Sequence, residues 1–214
     1  MADIENSKDL TSVLWSGADV LRSKMDANEY KNYLLGIVFY KYLSDSFLIK
    51  VYDLLYDEKL ETLRAALDAY REALEEESAE ELKEQLEEEC HYVIEPELTY
   101  TYFAEAAKNN SFNREQLQKA FNNIEQSDPI FADLFADLDL YSNRLGTGDQ
   151  KQSDTVASLI KVIDTADLLN SDAEILGNAY EAMIGWFASE TGKKAGEFYT
   201  PQAVSKILTK IAIA

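Results

Sequence analysis

The segment "YKNYLLGIVFYKYLSDSFLIK", Tyr30–Lys50, places the strongest constraint on how this chain of 214 residues folds. Tyr33, Leu34, Ile37, Val38 and Leu43 recur at helical spacing, while Leu35, Phe39 and Tyr42 fill the remaining faces. A helix that is apolar nearly all round has to be covered on every side. The pattern predicts a central core helix with others laid around it. Its longest apolar run, Tyr33–Tyr40, is far too short to cross a hydrocarbon layer of about 30 Å as a helix.

The flanking sequence reads as helices able to supply that cover. Leu10, Val13, Leu14, Gly17 and Leu21 give an amphipathic helix to about Met25, and Asp26 or Asn28 is placed to cap the next. Asp57–Glu89 lacks glycine and proline and predicts a helix or helical hairpin with a solvated acidic face. Glu97–Phe103 alternates polar and aromatic residues, which suits a short strand or extended segment. Asn113 and Gln116 have capping-box spacing. Asp128-Pro129 reads as a cap and first residue ahead of "IFADLFADL", with Leu134, Phe135 and Leu138 turned inward. Gly146–Asp154 reads as a polar loop. Ser171 and Glu174 open a helix whose face carries Ile175, Leu176, Ala179, Tyr180, Met183, Ile184 and Phe187, stopped by Gly192.

Charge divides the chain unevenly. The formal total is −20, and Glu72–Glu89 alone holds ten glutamates against Lys83. From Thr191 onward the balance reverses, with Lys193, Lys194, Lys206 and Lys210 against Glu197. Phosphate contacts come from lysine and arginine, so the bulk of the chain repels a DNA backbone. One cysteine excludes an internal disulfide, and the N-terminus lacks the pattern of a signal peptide, which together predict a cytoplasmic protein.

Most motif-like fragments carry no chemistry on their own. Cys90-His91 lacks the further Cys or His ligands that a zinc site needs, so no metal site is expected. Leu145–Lys151 has neither the spacing nor the preceding strand of a phosphate loop. The glutamate run has no glycine about which calcium ligands would bend.

"GEFYTPQ", Gly196–Gln202, differs from these. Thr200 as cap and Pro201 as first residue start a helix whose N-terminal N–H groups and dipole suit a carboxylate or phosphate. Phe198 and Tyr199 offer flat faces for stacking. The same residues serve equally as a loop packed into the core. The helix from Pro201 carries Val204, Ile207, Leu208 and Ile211 on one face and closes on "IAIA" without a polar cap, which predicts a truncated chain or a cover from another one.

The hexamer "GEFYTP", led by "ILGNAYEAMIGWFASETGKKA", resembles the start of the catalytic domain of the adenine-methylating modification subunit of type I restriction–modification systems. Upstream, Leu14–Phe47 is similar to the N-terminal domain of the same family in its pattern L-W-x-x-A-D-x-L-R…E-Y-K…L-G-x-x-F-x-K-Y-x-S-D. The resemblance implies a mainly α fold: an N-terminal helical bundle over residues 1–170, then 171–214 as a connecting helix and the first helix of a truncated Rossmann-like methyltransferase domain. It implies S-adenosyl-L-methionine as cofactor, with Glu197, Phe198, Tyr199, Thr200, Pro201 and Gln202 lining its pocket. It also implies a DNA-specificity subunit, a motor-nuclease subunit and a second methyltransferase subunit as partners, with DNA reached through the complex and its adenine flipped out. The family continues with a glycine-rich loop and an N/D-P-P-F/Y motif. Pro96, Pro129 and Pro201 are isolated, so no catalytic residue is assigned, and residues 1–214 alone are expected to be inactive and to hold the cofactor weakly if at all. Two other readings stand beside this one: a stand-alone acidic helical interaction module, and a DNA mimic acting through the acidic face.

Overall fold

The computed structural model describes residues 2–166 and 202–212, with Gly177, Glu181 and Gly185 between them. Asp26 opens the central helix α2 (Ala27–Leu55). Its carboxylate accepts from the Glu29 N–H at 3.3 Å, and its carbonyl from the Tyr30 N–H at 3.1 Å. Across residues 29–52 no position is exposed, as an all-round apolar helix requires.

Five helices supply the cover: α1 (Ala2–Arg22), α3 (Leu63–Ala73), α4 (Ala79–Cys90), α5 (Tyr100–Lys108) and α7 (Asp149–Ile163) all touch α2. α6 (Arg114–Ser127) adds Leu117, Ala120, Phe121 and Ile124 to the same core. α1 approaches α2 closely at Gly17, where an added Cβ would stand 2.6 Å from Leu34 Cδ2 and 3.2 Å from Leu159 Cδ1 of α7. Gly36 does the same on α2, with Leu138 Cδ1 at 2.4 Å from such a Cβ. Among the described residues the core runs from Leu10 to Ala166, and none of it belongs to a further helix, α8 (Gln202–Ala212). Among the described residues every regular element is helical, in keeping with the mainly α expectation.

Buried hydroxyls fasten the connecting segments to the helices. Tyr33 donates to the Asp139 carbonyl at 2.6 Å and Tyr40 to that of Leu98, while Tyr92 donates to the Leu43 carbonyl at 3.0 Å. Tyr100 reaches across to the Ile160 carbonyl of α7 at 2.9 Å. Aromatic rings fill the space between: Phe121 stacks on Phe135 at 4.3 Å, and Tyr40 meets Phe121 edge-on at 5.2 Å.

Several sequence expectations need correction. Glu97–Phe103 is not extended: a 3-10 turn (Pro96–Leu98) leads into α5, whose first turn is capped by Thr99 Oγ1 accepting from the Tyr102 N–H at 3.3 Å. The short alternation is overridden because Tyr100, Phe103, Ala104 and Ala107 are buried at helical spacing. After Asp128-Pro129 only a 3-10 turn (Pro129–Phe131) forms. Asp133 adopts a left-handed φ of 60°, and the Phe135 N–H donates to Glu125 Oε1 at 2.8 Å, so an α ladder does not continue. Phe135 and Leu138 are buried as expected, whereas Leu134 is exposed. The polar loop ends at Gly148, not Asp154, because Gln152, Thr155, Val156, Leu159, Ile160 and Ile163 bury one face of α7. The acidic segment takes one of its two expected forms, two helices, α3 and α4. α3 starts only at Leu63, where Thr62 Oγ1 accepts from the Ala65 N–H at 3.2 Å.

Burial raises the phenols of Tyr40, Tyr70, Tyr92 and Tyr100 above their ordinary value near 10. Above that pH the unfolded chain releases protons that the folded chain retains, so stability falls as pH rises. The expected outcome is cooperative alkaline unfolding: after the exposed tyrosines ionise, the remaining tyrosinate absorbance appears together with loss of helical circular dichroism. Full tyrosine ionisation with the helices intact would contradict this. Gly17→Leu should overpack the α1–α2–α7 contact, costing about 1–3 kcal/mol and several degrees of Tm in a thermal melt.

Candidate functional site

α8 carries the apolar stripe that its sequence predicts. Val204, Ile207, Leu208 and Ile211 are 44, 58, 56 and 69 % exposed, and they lie at the spacing of one helical face. The first turn of α8 holds no acidic residue and its last turn holds Lys210. An N-terminal dipole end with no carboxylate in the adjoining turn favours an anion. Gln202 is the first residue of this helix, while Glu197, Phe198, Tyr199, Thr200 and Pro201 lie outside the described residues. So do Ser171, Glu174 and Gly192 of the preceding expected helix, in which Gly177, Glu181 and Gly185 are helical.

The upstream pattern Leu14–Phe47 is resolved into three kinds of residue. Leu14, Ala18, Leu21, Tyr30, Leu34 and Ile37 are core. Trp15, Asp19 and Arg22 share the outer face of α1: Arg22 Nη1 is 2.9 Å from Asp19 Oδ1, and its guanidinium lies 6.0 Å from the Trp15 ring centroid. Its K-Y-x-S-D end is a buried polar group. Lys41 Nζ lies 2.6 Å from Asp45 Oδ2, with the two residues 3 and 1 % exposed. The ammonium also stands 5.0 Å from the Tyr100 ring centroid, and Ser44 Oγ accepts from the Tyr100 N–H at 2.7 Å. The first turn of α5 is thereby held by a hydroxyl 56 residues away in sequence. Sequence reasoning missed this group. A lysine and an aspartate four apart inside an otherwise apolar stretch are the signal that identifies it, because charges rarely enter a core unpaired.

The other candidates take structural positions. Cys90 ends α4, and His91 follows as a left-handed cap at φ 66° with Nδ1 3.9 Å from Asp128 Oδ2. Burial raises the Cys90 thiol above its ordinary pKa, which keeps it protonated near neutrality. Gly146 and Gly148 have φ of 153° and 90° and bring the chain into α7. All ten glutamates between 72 and 89 are exposed, while Leu82 and Leu86 turn α4 onto the core. Among the described residues no group of three or more His, Cys, Asp or Glu is placed to hold a metal ion, and no helix is long and apolar enough to cross a membrane.

Two predictions follow from this geometry. Removing one partner of the buried pair, as in Lys41→Met or Asp45→Leu, should cost about 3–5 kcal/mol in urea unfolding, and the double substitution should recover most of it. Additive losses in the double variant would show that the pair is not coupled. Ile207→Gln with Ile211→Gln should reduce self-association of residues 1–214 in light scattering without lowering Tm, because neither side chain enters the core.

Known proteins resemble this chain along nearly its whole length. Residues 10–163 match the family described as HsdM N-terminal domain, and residues 171–213 match N-6 DNA Methylase. The type I restriction enzyme MpnII methylase subunit of Mycoplasma pneumoniae is 28% identical over 94% of this chain and 38% of its own length. The MjaVIII methylase subunit of Methanocaldococcus jannaschii is 31% identical over 96% of this chain and 32% of its own. A crystal structure of the type I restriction-modification system methyltransferase subunit from Streptococcus thermophilus superposes with a TM-score of 0.88 at 47% identity, covering 96% of this chain and 44% of that one. The chain thus spans roughly a third to less than half of the relatives it matches. With its helical core lying over the matched residues 10–163, the chain belongs to the HsdM N-terminal domain family.

Proposed function

We propose that the chain is the N-terminal part of a type I DNA methyltransferase subunit that methylates adenine at N6. Residues 1–170 act as an assembly domain, and 171–214 start the catalytic domain. The observation that carries this reading is the order of the two matches, 10–163 then 171–213, with the second ending in a helix whose apolar stripe is exposed. Partners in this reading are a DNA-specificity subunit, a motor-nuclease subunit and a second methyltransferase subunit, with DNA reached through the complex in the cytoplasm. The exposed glutamates of α3 and α4 support a protein-facing rather than DNA-facing role, since phosphates are held by cations.

S-adenosyl-L-methionine fits the chemistry at the start of α8. Its methionine end carries a carboxylate, which suits a helix N-terminus with no acid in the first turn. When bound, the cofactor supplies an electrophilic methyl group. In this reading Glu197, Phe198, Tyr199, Thr200, Pro201 and Gln202 would hold it along one wall, since a threonine before a proline suits a helix cap and the rings of Phe198 and Tyr199 suit stacking. No catalytic residue is assigned within residues 1–214.

Purified residues 1–214 should transfer no methyl group from labelled S-adenosylmethionine to DNA, and measurable transfer would refute this assignment. In the parent enzyme, Thr200→Ala should weaken cofactor binding several-fold by calorimetry, in line with the loss of about 0.5–2 kcal/mol typical of a cap. An unchanged Kd would remove Thr200 from the pocket. The gene downstream of Ala214 should encode a glycine-rich strand–loop and an N/D-P-P-F/Y motif within the next hundred or so codons, and the absence of both would overturn the methyltransferase reading.

A further inference from the structure

We draw no further inference here: the strongest candidate, the open groove of about 670 Å³ between α2 and the turns at residues 134–138, lined by Leu35, Phe39, Leu134 and Leu138 with the opposed charges of Lys31 and Asp137, gives no sign to a partner, and nothing in the structure shows what covers it.

Discussion

The burial of α2 governs the architecture around it. No residue from 29 to 52 is exposed, so the polar groups on its covered faces need partners inside the protein. Lys41 and Asp45 satisfy one another, and Ser44 takes an N–H from α5. The phenols of Tyr33 and Tyr40 take carbonyls from two separate connecting segments. Each of the hydroxyl contacts draws another part of the chain onto α2. The polar exceptions in the core therefore specify where its neighbours sit, while the apolar majority supplies the driving force.

What was legible in the sequence depended on how far away the deciding partner lay. The 3.6-residue period of α2 is internal to it, so its central position follows from Tyr30–Lys50 alone. The caps at Asp26 and Asn113 are equally local; Asn113 Oδ1 accepts from the N–H groups of Glu115 and Gln116 at 2.8 and 3.3 Å. Glu97–Phe103 and Ile130–Leu138 were misread because their backbone geometry is set from outside, by Ser44 in the first case and Glu125 in the second. α7 was hidden by a polar opening, since Asp149–Asp154 looks like loop until the burial of Val156, Leu159 and Ile160 behind it is counted. For Gly196–Gln202 elementary chemistry leaves a helix start fit for an anion and a loop packed into the core side by side, and only the resemblance of the hexamer favours the first.

Acidic charge and exposed apolar surface belong to different helices. The glutamates of α3 and α4 all face solvent, and neighbouring cations are engaged: Lys50 pairs with Glu89, and Arg64 with Asp68 and Glu105. α8 instead shows aliphatic side chains and Lys210. The two regions therefore differ in chemistry, the one suited to cationic and the other to apolar surfaces.

The fasteners around α2 have one further property. Tyr33, Tyr40, Tyr92, Tyr100 and Lys24 all grip main-chain carbonyls, those of Asp139, Leu98, Leu43, Ile160 and Leu145. A carbonyl is the same whatever side chain its residue bears, so the grip itself does not depend on that side chain, although Leu43, Leu145 and Ile160 are also core. Divergence can then accumulate in the connectors at little structural expense, concentrated away from the few hydroxyls that do the holding. Such an arrangement lets the helices keep their positions while the sequence of a connector drifts.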